Sequence, residues 1–530
     1  MARSFQPRVP HDVLQDLLLG YDPAIAARLV QGFATGFSLG CEAVPVGDCV
    51  LNLRSCEEAP QVIDRYIESE REAGRIAGPF PIPSPWIQKF SPIGLIPKKS
   101  PGTYRVIHHL SFPFGNSVND YIPRERTAVS YGSIDQAVQL ISQFQSPYLA
   151  KTDIASAFRM IPVSLSDCPL LGFRWRDAAF VDLALPMGCS SSSSIFQCFS
   201  DALVWMAQTH FQAGPIVSVL DDFLFIGESQ AACATSLAGF KELCRQLCVP
   251  LRPDKTVDPC QSLCFLGVEL DVATNELRLP PDKVARTIAE LNLLLRRKKA
   301  RLREVQACIG RLNFACIAVP LGRPFLRRLS DLCIGVRRPH HRVSINRAAR
   351  LDMRAWLDFL SHFNGRSMLV GRRWRSGPLL RLETDASGAY GLGAICGSAW
   401  LIGTWPQELK QLDIAVKELI AVVVAIYVWR SVFAHRCVQI RSDNAAVVEC
   451  INSQSSRSPA IMIWIRKLFV TVVLNDILVS ASHVPGITNC AADALSRGLV
   501  QEFRERRPAA HARPTAWDWS AFGISTPSQR

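Results

Sequence analysis

Apolar positions along the chain fall into helix-like and strand-like runs. VLQDLLLG and PAIAARLVQGFATGF carry helical apolar spacing. APQVIDRYIESEREAGRIAGPF predicts a helix ending at Gly78, before the Pro-rich phrase PFPIPSPW. In YLAKTDIASAFRM an apolar strand ends at Asp153, and LALPMGCSSSSSIFQCFSDAL predicts a Pro-Met-Gly turn followed by a helix. The serines Ser190–Ser194 fit flexible low-complexity sequence, but their place before Ile195, Phe196 and Gln197 favours a helix entry, because Ser is a good N-cap. VSVLDDFLFIG predicts strand–turn–strand, with β-branched and aromatic residues flanking a polar tip at Asp221 and Asp222. After residue 378 three short strands are predicted in PLLRLETDASGAYGLGAICGSAWLIGTW. A strongly apolar helix, DIAVKELIAVVVAIYVWR, opens at Asp413; CVQIRSDN is a further strand, and NCAADALSR begins a short final helix.

The Asp-Asp tip is the first sign of chemistry. Adjacent carboxylates between apolar strands repel each other and lose hydration, so they call for a cation. Hard Mg2+ takes carboxylate oxygens and leaves positions open for phosphates. A solvated hairpin turn is the plain alternative, and Asp153, a matching carboxylate in a matching context, speaks against it. The ordered phrases ending in LRPDKT and CFLGVELD resemble motifs A to E of the reverse-transcriptase palm, over residues 148–271. The resemblance implies a right-hand polymerase in which Asp153, Asp221 and Asp222 hold two Mg2+ or Mn2+ ions for nucleotidyl transfer. It also implies a fingers hairpin in SPIGLIPKKSPGTYRVIHHLSF, with Lys98, Lys99 and Arg105 at the triphosphate. Phe158 is implied as an aromatic gate beside the sugar, Met187 and Gly188 as the motif B turn, and Lys255 as a pyrophosphate contact. Met187 stands where many relatives carry Gln or Phe, and Val219-Leu220 stands where retroviral enzymes favour a Tyr-X pair.

The region after residue 378 resembles ribonuclease H, in the phrases TDAS, KELIA, SDN and HVPGITNCAADALSR. The resemblance implies four acids, Asp385, Glu418, Asp443 and Asp493, holding a second pair of metals for hydrolysis of RNA in RNA–DNA hybrids. A histidine found in the loop before the last acid of retroviral-type relatives is replaced here by Pro485 to Asn489, and His483 is expected to pack on the sheet end. PFPIPSPW, SPIGLIPKKS and SVNDYIP most resemble the DIRS-type (tyrosine-recombinase) retrotransposons.

Composition locates the charge. The 530 residues have room for several domains, and 48% hydrophobic with 20% charged residues describes a globular chain. The formal charge is +13, yet residues 281–376 alone hold 22 Lys and Arg against six Asp and Glu, a net of +16. A solvated basic face is the bland reading. Between a polymerase and a nuclease the block is expected to track a nucleic-acid backbone, with Arg296, Arg297, Lys298 and Lys299 as its core. Among the 18 cysteines, the paired spacing of Cys244, Cys248, Cys260 and Cys264 invites zinc, but structural thiols are preferred because the segment serves as motifs D and E. MARSFQPRVPHDV has no apolar h-region and no apolar run reaches the ~20 residues of a membrane span, so a reduced intracellular setting, cytoplasmic or nuclear, is expected.

The fold class expected is α+β / α/β multidomain. An N-terminal helical extension (1–60) precedes fingers and palm (61–280), thumb (281–335) and a basic connection (336–377). A ribonuclease H domain with a mixed five-stranded sheet (378–500) and a flexible tail (501–530) follow. The implied partners are an RNA template, a DNA primer, RNA–DNA hybrid and deoxynucleoside triphosphates, with no membrane and with a recombinase or integrase on a separate chain. The alternatives are a domesticated, catalytically inactive nucleic-acid-binding protein that keeps the fold, and a polymerase of the intron or telomerase type, against which the attached nuclease counts.

Overall fold

The computed structural model describes residues 9–44, 51–98, 102–362, 366–368, 379–475 and 477–524. The chain divides into two compact units, Met1–Leu266 and Gly267–Arg530.

The first unit opens with helices α1 (His11–Leu17) and α2 (Pro23–Thr35), the latter capped by Asp22, whose carboxylate accepts from the Ala24 and Ile25 amides. Helix α3 runs Pro60–Glu72, which corrects the expectation that it reaches Gly78. Gly74 adopts φ +72°, a left-handed end that an L side chain resists, and residues after it pair as strand β1 (Ile76–Phe80). A hairpin of β2 (Ile93–Pro97) and β3 (Tyr104–His108) follows, then β4 (Tyr148–Asp153), β5 (Gly172–Trp175) and β6 (Ala178–Asp182). Strands β1, β6 and β5 form one antiparallel sheet in that order. After helix α4 (Ser192–His210) come β7 (Ile216–Val219), β8 (Asp222–Gly227), helix α5 (Gln230–Gln246) and β9 (Val257–Cys260).

A four-stranded sheet has the order β7-β8-β4-β9 and is antiparallel throughout. Its β8 sequence DFLFIG is apolar on both faces after the first residue, and Phe223 to Ile226 are all buried. Phe223 and Phe225 pack on Phe240 of α5, with ring centroids 4.7 and 5.3 Å apart. The serine run does enter α4, but Ser191, at the cap position, makes no capping bond. Ser192 Oγ instead donates to Pro186 O and Ser194 Oγ to Arg126 O, tying the loop down.

The second unit begins with a hairpin of β10 (Val268–Asp271) and β11 (Glu276–Arg278), which residues 366–367 extend. Helix α6 (Pro281–Leu295), β12 (Lys299–Arg301), helix α7 (Leu302–Ala315), β13 (Arg342–Ser344) and helix α8 (Arg347–His362) follow. β12 and β13 pair as an antiparallel ribbon around buried Ala300 and Val343.

A five-stranded mixed sheet completes the unit, built from β14 (Leu380–Ala386), β15 (Gly391–Cys396), β16 (Ala399–Thr404), β17 (Cys437–Ser442) and β18 (Leu478–His483). Its order is β16-β15-β14-β17-β18, antiparallel among the first three and parallel for the rest. Helix α9 (Ile414–Val428) is buried all round from Val416 to Ile426, as its unbroken apolar run requires. Helices α10 (Ala445–Ser453), α11 (Pro459–Leu474), α12 (Cys490–Ser496) and α13 (Val500–Arg506) close the fold. Among the described residues no helix is long and apolar enough to cross a membrane.

The expected flexible tail is corrected over residues 501–524. Phe503 of α13 is fully buried, and the chain beyond runs along β16, the edge strand of the sheet. His511 N and Thr515 N donate to Ser398 O and Trp400 O at 2.9 and 2.8 Å, while the Trp517 and Trp519 indoles donate to Ile402 O and Thr404 O. Arg and Pro in this segment suggest disorder, but its two tryptophans bury too much apolar area to stay free. Residues 525–530 of the tail lie outside the described residues.

Candidate active sites

Asp153 ends β4 and lies directly across the ladder from Asp222, the first residue of β8. The two-residue turn before Asp222 places Leu220 at φ +54°, which costs a Leu about 1–2 kcal/mol. Helix α4 holds that turn: Gln197 Oε1 accepts from Leu220 N at 2.8 Å and Ser200 Oγ donates to Leu220 O at 2.8 Å. Asp221 O accepts from Ile154 N at 3.0 Å, so the turn is also tied to the end of β4. Burial and then the neighbouring Asp153 push the Asp221 carboxyl above its usual range. Burial, Asp221 and Asp153 push Asp222 up to about 6. Lys255 Nζ meets Asp153 Oδ2 at 2.5 Å. The three carboxyls repel one another on fixed backbone, a cost that a divalent cation would relieve, but their oxygens do not all lie within 4.8 Å of one another.

A cavity of about 840 Å3 brings together Lys98, Arg105, Met187, Gly188 and Lys255 from the expected nucleotide site. Lys99 lies outside the described residues. His108, His109 and Ser111 also line the cavity, and the sequence alone did not single them out; their signal was the polar HH pair after the hairpin. Gly188 is required there: at φ +130°, a Cβ would stand 2.1 Å from His108 O. Phe158 is half-buried and packs edge-to-face on Phe196 at 5.6 Å, and it is not among the residues lining this cavity.

The C-terminal acids come from three elements. Asp385 lies in β14, Glu418 on α9, and Asp443 directly after β17. Among the described residues, only these three bring ligand oxygens within 4.8 Å of one another. Burial, then Asp385 and Asp443, push Glu418 up to about 9, and its Oε2 is buried without a partner. Burial, with Asp443 and Asp493 adding to it, pushes Asp385 up to about 6 against a hydrogen bond from Ser496. An orphaned buried oxygen among clustered carboxylates fits a divalent cation. Asp493 on α12 stands outside that tight group and pairs with Arg497 at 2.7 Å. His483, at the end of β18, places Nε2 3.1 Å from Asp443 O. Asn489, given no role in the sequence reading, is buried and donates from Nδ2 to Thr384 O at 2.9 Å, fixing the entry of α12 beside Asp385.

The expected basic core is redistributed. Arg297 pairs with Glu304 at 3.1 Å, and both line a cavity of about 450 Å3 together with Lys299, Arg301 and Arg342. Arg301 and Arg342 face each other directly across the ribbon, a like-charge pair, and Glu304, which accepts from Arg301 N at 2.7 Å, is the carboxylate in the cavity lining. Arg301 and Arg342 were not among the four residues singled out in the sequence; Arg301 shares β12 with Lys299, and the pairing of β12 with β13 brings in Arg342.

Residues 96–270 match the family described as "Reverse transcriptase (RNA-dependent DNA polymerase)". The chain is 23% identical over 434 residues, 78% of its length, to the Tf2-3 and Tf2-4 transposon polyproteins of Schizosaccharomyces pombe. It spans 29% of the length of those curated relatives. Among solved structures, the foamy viral protease-reverse transcriptase dRH in complex with ds DNA matches 90% of this chain and 82% of its own, with TM-score 0.50 and 14% identity. The foamy viral protease-reverse transcriptase in complex with RNA/DNA hybrid gives the same TM-score and identity, over 63% of its own chain. The fold is that of these reverse transcriptases.

Proposed function

We propose that the protein is an RNA-directed DNA polymerase with ribonuclease H activity, part of a retrotransposon-like element and nearest in type to the DIRS group. The observation that carries the reading is the pairing of Asp153 with Asp222, Asp221 beside them, in the unit whose cationic cavity collects Lys98, Arg105 and Lys255. Asp153, Asp221 and Asp222 would hold divalent metal in one site, and Asp385, Glu418 and Asp443, with Asp493 beside them, in the other. Bound Mg2+ would supply Lewis-acid stabilisation of phosphoryl oxygens in both. Lys98, Arg105 and Lys255 then neutralise a deoxynucleoside triphosphate in the cavity. The RNA/DNA hybrid seen with the foamy viral protein is the partner class proposed here. The decisive experiment is extension of a DNA primer on an RNA template with Mg2+, together with cleavage of the RNA strand of a hybrid. No extension by folded protein, across Mg2+ and Mn2+, would overturn the polymerase assignment.

Two expectations follow from named side chains. Phe158→Ala should raise ribonucleotide incorporation relative to deoxynucleotide by about tenfold, the scale of removing a steric restriction worth about 1–3 kcal/mol. An unchanged ratio with polymerisation intact would make Phe158 a packing residue against Phe196. Replacing Lys299, Arg301 and Arg342 by Gln should flatten the dependence of hybrid affinity on salt, by about 0.9 in logarithmic slope for each phosphate no longer neutralised. A slope equal to wild type would assign these three residues to a solvated face.

A further inference from the structure

Behind the nucleotide cavity lies an ionic cluster built from four buried side chains on four elements. They are Glu70 of α3, His108 of β3, Arg159 of the turn at residues 157–160, and Asp182 at the end of β6. Arg159 Nε donates to Glu70 Oε2 at 2.8 Å and its Nη2 to Asp182 Oδ1 at 2.8 Å. Its Nη1 donates to Ala184 O at 3.1 Å. The second Asp182 oxygen meets His108 Nδ1 at 3.0 Å, and His108 Nε2 lies 3.3 Å from Gly172 O. Burial alone would raise the Asp182 carboxyl, but the Arg159 guanidinium and then His108 hold it below its usual range.

Such a cluster is a costly way to fill a core, since apolar side chains of similar volume give equal or better stability. Its geometry supplies what apolar packing does not, a fixed relation between separate backbone segments. His108 is itself a wall of the cavity, and its carbonyl oxygen is the atom against which Gly188 is packed. The Ala184 carbonyl held by Arg159 lies three residues before Met187, and His108 N donates to Met187 O at 3.3 Å. One guanidinium and one carboxylate therefore connect the two cavity walls, β3 and the Met187–Gly188 turn.

We propose that Arg159 and Asp182, which lie outside the cavity, are positioning residues that set the distance between its two walls and thereby its affinity for the incoming nucleotide. The proposal rests on the polymerase reading above. Planar, two-sided hydrogen bonding is what Arg offers and Lys does not. A wall displaced by an ångström loosens binding without touching the metal ligands.

The test is steady-state primer extension by Asp182→Asn and Arg159→Lys, with hybrid cleavage and Tm followed in parallel. Asp182→Asn keeps the shape and loses the charge; Arg159→Lys keeps the charge and loses the fork. Both should raise the KM for deoxynucleotide about tenfold, with kcat, the Mg2+ dependence and hybrid cleavage within about twofold of wild type. Glu70→Gln, which leaves the Arg159–Asp182–His108 chain intact, should change KM less than threefold. Should Asp182→Asn fail to fold, Arg159→Lys decides. An unchanged KM in a folded variant, or a fall in kcat alone, overturns the positioning role. Direct nucleotide binding separates the two proposals. A wild type that extends no primer yet binds dTTP about tenfold tighter than folded Arg159→Lys would retire the polymerase reading and keep the positioning role.

Discussion

Asp221→Asn should lower primer extension by about a thousandfold, equivalent to about 4 kcal/mol of transition-state stabilisation, while hybrid cleavage stays within about twofold. Asp443→Asn should do the reverse. Asn keeps the shape of Asp and removes its charge, so the effect reports the charge. The fold around each residue does not depend on the carboxylate. The Leu220–Asp221 turn is held by Gln197, by Ser200 and by the Ile154 amide on backbone atoms, none of which the substitution touches. Asp443 follows β17, whose pairing with β14 and β18 is backbone throughout. Loss of both activities in a folded single variant would defeat the assignment of two independent sites.

In the absence of divalent metal, the thermal stability of the C-terminal unit should fall as pH rises from about 5 to about 9, and added Mg2+ should restore more stability at the upper end. The sign comes from Glu418 and Asp385. Burial and like charges push Glu418 from 4.5 up to about 9 and Asp385 from 3.8 up to about 6. Below the unfolded-state values both groups are protonated in either state, and their contribution is fully present. Between the unfolded and folded values the folded protein binds more protons, so stability is lost with rising pH, at up to about 1.4 kcal/mol per pH unit for each proton. A cation among the carboxylates reverses the preference by favouring their ionised forms. Glu418→Gln should remove most of the slope above pH 6. A stability curve flat over this range in metal-free wild type would show that Glu418 is already ionised and partnered.

The candidate acids could be picked out because each sits in a short local phrase of residue types, whereas the meeting of Asp385, Glu418 and Asp443 depends on the fold. Helix ends were less legible. The apolar spacing of residues 60–80 carries on past Gly74, and only pairing of Ile76 with Asp182 turns that stretch into a strand. The tail misled for the opposite reason. Its Arg, Pro and Ala content reads as unstructured, whereas Trp517 and Trp519 act through an edge strand more than a hundred residues away.

What the sequence determined by itself is the chemistry available and its order along the chain: Asp153 before Asp221 and Asp222, four further acids after residue 378, and the basic block between. Those are properties of residue type and spacing, and patterning specifies strands and helices locally. The tertiary structure decided which groups meet. It put Asp153 opposite Asp222, paired Lys255 with Asp153 and Arg297 with Glu304, and brought Arg342 to the cavity that Arg297, Lys299 and Arg301 line. It also assembled Glu70, His108, Arg159 and Asp182 from positions over a hundred residues apart into one buried cluster. Strand register and helix packing set those juxtapositions, and both depend on which apolar faces find each other, a property no local window of sequence contains.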